Sequence, residues 1–543
     1  MLLQTGQAES AAPPQAAGIA AKYSPALVAA GLYAVCTAAL LVASWIYCEH
    51  HFIYAMDDTY ITMAMAKNLA LHGVWGVTPY AFSSSNSSPI FPLLVAAAYR
   101  IFGVNRFAPL VLSWIFGLLS IFAAERLLVP FLIPKQRTVA LIVFVLFVPL
   151  FVVGVIGMEH SLHLLLTLLF LGYFLHDTTA NLSPKQLLLL GLITALMVSA
   201  RYEALFLVFP AGCVLLALRR WKPLLAISVG AAVPVCSYAA FSIAHGGYWL
   251  PNSVALKGAQ GDHPSLSHMA ANIAARIASN FHDGPQLFWV LAIIAMTAVA
   301  FALRDRRRVV PLLLILVAGC FQITLAQVGM YYRYNSWLFG AGIVLIAAAF
   351  PQLQRLLPQK AFLAIYFVIL AAGGLFVLLS LAQMHMVPRI ARNIYLRQWQ
   401  MARFVEQYYP NSVVAANDIG AVNYLSNIHC YDFVGLANPE IFTARRSGAY
   451  TTDFLDRDTA AQHVQIAIAY DRWFGDPMPV EIGGPPLPRT WVRVARWYIP
   501  DPTIVGDEYV SFYAVDPSQA PALRSDVLQF ASELPAAVHT LPE

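Results

Sequence analysis

The chain has 543 residues, 59% of them hydrophobic and 11% charged, with a formal net charge of +5 and a mean hydropathy of +0.64. Soluble domains carry about 25% charged residues, so a soluble enzyme or nucleic-acid-binding protein is excluded in favour of a polytopic membrane protein. The apolar residues recur in blocks of about 16 to 22, the length of a membrane-crossing helix, and the half of the chain that carries them has no alternating strand-like segments, which argues against an outer-membrane barrel.

Residues 1–24, rich in Ala, Gln and Pro, read as a disordered cytoplasmic N-terminus. The first apolar run ends "SWIYCEHHF" with no small-residue cleavage site, so it reads as a retained signal anchor. Spans are expected near 26–47, 107–123, 138–156, 161–176, 187–199, 204–218, 223–243, 286–303, 309–328, 335–351 and 361–381, about eleven in all. With the N-terminus inside, the short cytoplasmic loops hold most of the loop Lys and Arg, including Arg304, Arg306, Arg307 and Arg308. An odd span count then sends the C-terminus out. Two extracytoplasmic loops are long, 48–106 and 244–285, and the tight ones carry "GVIGMEHSL", "SARYEAL" and "GMYYRYNSW". From residue 382 the composition turns acidic, with twelve Arg, no Lys and seventeen Asp plus Glu. This stretch, 382–543, reads as an extracytoplasmic α/β domain. It has a helix near 390–408, the strand "SVVAA", the turn "NDIGA" and the strand "IHCYDFVG", then a helix near 457–463, "VQIAIAY", two later strands "TWVRVARWYI" and "EYVSFYAV", and a loosely packed end from about 517. Six dispersed cysteines give neither a disulfide framework nor a metal spacing.

Ionisable side chains gather on the outer side. Asp57 and Asp58 follow the first span, and Glu159, Arg201, Glu203, Lys257 and Arg333 stand at the outer ends of later ones. At membrane depth such groups must be paired, hydrated or used. Plainer readings stand beside this one. The two aspartates suit the start of a helix over 59–71, with Ile61, Met65 and Leu69 on its apolar face. Glu159 suits a bridge to Arg201, and Lys257 and Arg333 suit headgroup contacts. "EHH" at 49–51 lacks zinc-ligand spacing, and "SSSNSSP" at 83–89 reads as a hydrated loop. A transporter would instead need ionisable groups deep in mid-span within broken, symmetric helices.

The stretch "MDDTYITMAMAKNLALHGVWGVTPYAFSSSNSSPIFPLL" resembles the first extracytoplasmic loop of polytopic GT-C glycosyltransferases. "GME" at 157–159, "RYEA" at 201–204, "YWLPNSVALKG" at 248–258 and "NDIGAVNYLSNIHCYDFVGLANPEI" at 417–441 are further echoes, so the resemblance covers most of the chain. It is nearest to the bacterial branch that includes the mycobacterial terminal arabinofuranosyltransferases. The tail lacks a motif like the "WWD" of oligosaccharyltransferases.

The resemblance implies a mainly α enzyme of a bacterial plasma membrane, its active site facing the periplasm or cell exterior. It would move one sugar, with arabinofuranose as the branch's example, from a polyprenyl phosphate to a glycan or glycolipid hydroxyl by an inverting displacement. Transfer to protein or lipid A, or a non-enzymatic transporter of lipid-linked sugar, are the alternatives. Asp57 is the first choice for the base, with Asp58 orienting the acceptor or raising its neighbour's pKa by like-charge repulsion. Arg333, Lys257 and Arg201 would bind the donor phosphate. Glu159, Glu203, Tyr332 and His160 would orient those cations or the sugar hydroxyls. The resemblance fixes no cofactor, and a divalent cation on Asp57 and Asp58 stays open. Expected partners are the lipid-linked donor, the acceptor and the bilayer, with no nucleic acid.

Overall fold

The computed structural model describes residues 24–175, 179, 181–256, 266–302, 309–329, 333–475, 483–501 and 507–543. Lys257 and Tyr332, and the N-terminus up to residue 23, lie outside them.

The apolar run after Ser24 folds as α1 (Pro25–Tyr47), with proline in its first turn where no amide bond is lost. Next come α2 (Asp57–His72), closed by Gly73 in the left-handed conformation, and α3 (Ile90–Phe102). The bundle continues with α4 (Ala108–Leu128), α5 (Pro134–Phe147) and α6 (Leu150–Ile156). Pro149 interrupts the apolar run between the last two, and they meet at a 46° bend. Then follow α7 (His160–Leu175), α8 (Pro184–Ala200), α9 (Leu205–Ala217) and α10 (Trp221–Ala244). The single turn α11 (Asn252–Ala255) precedes α12 (Leu266–Asp283), α13 (Pro285–Ala302), α14 (Val309–Leu325), α15 (Ser336–Leu356) and α16 (Gln359–Leu396).

Each of the eleven expected spans falls on one of these helices, or on the bent pair. By length and apolarity, six described helices can cross a membrane, or seven with the bent pair; five more apolar helices are only 10–17 residues long. Helix α7 is buried nearly all round and α15 over most of its length, so these two form the bundle's centre. Helix α16 has 38 residues. At about 1.5 Å per residue it outreaches a hydrocarbon layer of about 30 Å and carries the chain beyond the bilayer surface. The expected boundary at 381/382 therefore falls inside a continuous helix.

Beyond it lie α17 (Gln398–Tyr408), β1 (Val413–Ala416), α18 (Gly420–Leu425), β2 (His429–Asp432), α19 (Pro439–Arg446), α20 (Thr452–Ala461), β3 (Ile466–Ala469), β4 (Val492–Tyr498), β5 (Tyr509–Ala514), α21 (Ala520–Phe530) and β6 (His539–Pro542). The strands form one mixed sheet in the order β2-β1-β3-β5-β4-β6. β2, β1 and β3 run parallel, and β5, β4 and β6 are antiparallel. Loose packing from 517 does not hold. Leu523, Val527 and Phe530 of α21 are fully buried, at the i, i+4, i+7 spacing of one helical face, and β6 pairs with β4.

Candidate active site

Helix α2 is short but has little exposed surface: Thr59, Tyr60, Thr62, Met63, Ala64 and Asn68 are all buried. The membrane bundle covers it on one side and α18 of the tail on another. Asp57 and Asp58 are its first two residues, and consecutive positions on a helix point about 100° apart. The pair therefore divides.

Asp57 turns to the tail. Its carboxylate accepts the backbone N–H of Gly420 at 2.7 Å and of Ala421 at 2.9 Å, the orphan donors that open α18. It caps a helix, though not its own. Ten residues further along α2, the Lys67 ammonium donates to the carbonyls of Asn423 and Tyr424 at 3.2 and 2.8 Å, at the other end of α18. Acid at the N-terminus and base at the C-terminus match the helix dipole. Approach here is so close that a Cβ on Gly420 would overlap the Asp57 carbonyl oxygen, so only glycine fits. Burial raises the Asp57 carboxyl well above the usual carboxylate range, and nearby Asp418 adds to this; the two amide donors pull the other way. Asp418 itself accepts from the Gln398 amide at 2.7 Å.

Asp58 turns to a cavity of about 320 Å³, whose lining also includes Ser85, Asn86, Arg201, Arg333 and Tyr334, with Val434 and Leu436 from the tail. Asp58 is 44% exposed and pairs with the buried Arg333 guanidinium at 2.8 Å. Arg333 also donates to the Tyr334 hydroxyl at 2.8 Å, and its Nε has no hydrogen-bond partner among the described residues. Arg201 is held more tightly, at 2.7 Å by Glu159 and at 2.5 and 3.1 Å by both oxygens of Glu203. Both guanidiniums lie against the Tyr334 ring, 4.7 and 5.2 Å from its centre. His160 meets the edge of the same ring, and its Nε2 is 4.0 Å from Glu159. Glu159, Glu203 and His160 therefore sit behind the cavity wall, and Asp58, Arg333 and Arg201 on it. Lys257 would follow the lining residue Leu256, and Tyr332 would precede Arg333; both lie outside the described residues.

Over residues 86–243 the sequence matches the family model of dolichyl-phosphate-mannose-protein mannosyltransferases, and over 390–513 that of a domain of unknown function, DUF8728. No curated protein matches the chain. Among solved structures, ArnT from Cupriavidus metallidurans bound to undecaprenyl phosphate superposes with a TM-score of 0.51 at 13% identity, over 90% of this chain and 99% of that one. The chain has the GT-C glycosyltransferase fold. Apo ArnT from the same organism gives a TM-score of 0.49 at 12% identity over 90% and 99% of the two chains. The Archaeoglobus fulgidus oligosaccharyltransferase in the apo form gives 0.48 at 13%, over 88% of this chain and 73% of that one.

Within this GT-C fold the polar loop 83–89 is not the hydrated segment its composition implies. Ser84, Ser85, Asn86 and Ser88 are buried. The Asn86 amide donates to Thr62 of α2 at 2.6 Å, and its oxygen accepts from the Ser88 N–H at 2.7 Å. The Ser85 hydroxyl donates to the Leu436 carbonyl of the tail at 3.1 Å. Asn and Ser in sequence signal local side-chain-to-backbone bonding, but the partners that bury them are distant. Tyr334 and Leu436 were missed because no local pattern marks them. The residues do not fit a divalent cation on the aspartate pair. Both Asp57 oxygens accept amide N–H groups, and Asp58 faces a guanidinium. Among the described residues, no group of three His, Cys, Asp or Glu side chains could hold a metal ion.

Proposed function

We propose that the chain is a glycosyltransferase that moves a single sugar from a polyprenyl phosphate to a hydroxyl acceptor at the bilayer surface beside its tail. The observation that carries this reading is the Asp58–Arg333 pair, a half-exposed carboxylate against a buried cation on one cavity wall.

The donor ends in a sugar phosphodiester whose leaving phosphate gains negative charge as the anomeric C–O bond breaks. A fixed cation there stabilises the transition state more than the ground state. Arg333 suits that task better than Arg201, which two carboxylates already neutralise. Glu159 and Glu203 then act as anchors that hold Arg201 against Tyr334. Lys257 and Tyr332, next in sequence to cavity residues, complete the proposed phosphate and sugar contacts. Arrival of the donor phosphate would draw Arg333 off Asp58. The released carboxylate then takes the proton of the acceptor hydroxyl as its oxygen attacks the anomeric carbon. One such displacement inverts that carbon. Asp58 replaces Asp57 as the proposed base because both Asp57 oxygens are committed to α18.

A pentofuranose such as arabinofuranose, a glycan or glycolipid acceptor, and a bacterial plasma membrane with the pocket outside complete the proposal. A protein hydroxyl as acceptor is the second reading, favoured by the mannosyltransferase family match over residues 86–243. The test is transfer by purified protein from synthetic polyprenyl-phosphate arabinofuranose and other polyprenyl-phosphate sugars to mixed glycan and peptide acceptors. Donor consumption that depends on acceptor and on Asp58 supports the reading. A donor that binds and is never consumed with any acceptor would refute it in favour of a transporter.

A further inference from the structure

A second cavity, of about 150 Å³, lies where α1 ends and α16 enters the tail; Tyr47, Arg389, Arg392, Asn393 and Asp501 are among its lining residues. Its depth relative to the bilayer follows from α1, whose last turn exposes Trp45 and Tyr47. Exposed Trp and Tyr at the end of an apolar helix mark the headgroup layer.

The two arginines are in different states. Arg389 pairs with Asp501 at 2.7 Å. Arg392 is exposed and has no ion pair among the described residues. Asn393 is only 3% exposed. Its amide donates to the Asp501 carbonyl at 3.1 Å, but its Oδ1 has no hydrogen-bond partner among the described residues. A buried acceptor without a donor is costly, and the cavity it lines is where a donor can arrive. The face of α16 that bears Arg389 and Arg392 turns apolar further toward the helix N-terminus. Leu378, Leu381, His385, Arg389 and Arg392 follow one another at three- and four-residue steps, so they share one face of α16. Leu378 and Leu381 are 66% and 47% exposed on the face that looks to lipid.

We propose that this cavity seats the headgroup of a bilayer phospholipid that carries a hydroxyl or amine donor beside its phosphate. The phosphate sits on Arg392, the donor bonds Asn393 Oδ1, and an acyl chain follows Leu381 and Leu378. Basic pockets between membrane helices take lipid headgroups in this way. The site is separate from the reaction pocket and does not depend on the glycosyltransferase reading.

The experiment is native mass spectrometry of the purified full chain in detergent, titrated separately with phosphatidylglycerol, phosphatidylethanolamine, phosphatidylcholine and polyprenyl phosphate. Inorganic phosphate serves as competitor. Phosphatidylglycerol and phosphatidylethanolamine are expected to bind about fivefold more tightly than phosphatidylcholine, which keeps the phosphate and lacks the donor. Arg392→Gln, at an exposed position, should weaken them about fivefold. Equal binding of phosphatidylcholine, indifference to Arg392→Gln, or displacement of bound lipid by millimolar phosphate would each overturn the proposal. Stronger binding of polyprenyl phosphate through Arg392 would overturn it too, by assigning the cavity to the donor.

Discussion

Asp57 and Asp58 are neighbours in sequence, alike in chemistry and in the same helical turn, yet they belong to two different regions. Asp57 lies in the seam between α2 and α18, engaged by backbone amides that the start of a short helix holds in place. Asp58 lies on an open wall, paired with a guanidinium that a charged ligand can draw away. Chemical identity and position in a motif do not decide which carboxylate can react. What decides is whether its partner is fixed backbone or a cation with another claim on it.

The comparison can be broken first at Asp58. Asp58→Asn is expected to lower the transfer rate about 10³-fold while donor still binds, read by single-turnover assays beside equilibrium binding. Full activity in that variant would remove Asp58 from the chemistry. Arg333→Ala should cost about 10²-fold in rate, with Arg333→Lys recovering only part, because a lysine lacks the planar fork for phosphate oxygens. The seam should answer in stability instead. Asp57→Asn is expected to cost about 2 kcal/mol, visible as earlier thermal unfolding and easier proteolysis at the α18 junction, with turnover per folded molecule changed little. Gly420→Ala should reproduce that pattern, since its methyl would meet the Asp57 backbone. A large turnover loss at constant stability in Asp57→Asn would instead restore Asp57 as the base.

The smallest effect concerns the turn from the tail that reaches the pocket. Asp432 accepts the N–H groups of Val434 and Ala437 at 2.8 Å each, shaping the segment that bears Leu436. Burial lifts its carboxyl to about 6, against those same amides. A carboxyl raised in the folded state takes up its proton at a higher pH than in the unfolded chain. Its contribution therefore favours folding at low pH and is lost as pH rises from about 4 to 6. Thermal midpoints should fall by about 2–4 °C across that window relative to Asp432→Asn, whose side chain does not titrate.

Much of this was legible in the sequence, and the limit is physical. Helices appear in composition because lipid demands long apolar runs, and the tail strands because alternation and β-branched residues mark them. "EYVSFYAV" holds the strand β5, as its pattern implies, and that strand pairs with Ile466–Ala469. The gathering of Asp58, Arg201 and Arg333 followed from where ionisable residues meet membrane ends. What stayed hidden was contact across long separations. Nothing near Asp57 reveals a glycine 363 positions later as its partner. The serines at 83–89 looked solvated because the walls that bury them come from α2, α10 and the tail. Composition also misjudged the end of the chain, where three well-spaced apolar residues of α21 outweigh the surrounding Pro, Ala and Ser.

That same separation sets an order of events during synthesis. Helix α2 leaves the ribosome 363 residues before the amides that Asp57 will hold. At about 5–20 residues per second this is a wait of roughly 20 to 70 seconds. Through that interval the partners of Asp57 and Lys67 in α18 have not been made, and the cavity lacks the wall that Val434 and Leu436 supply. The cavity can thus close only after every membrane helix has been synthesised.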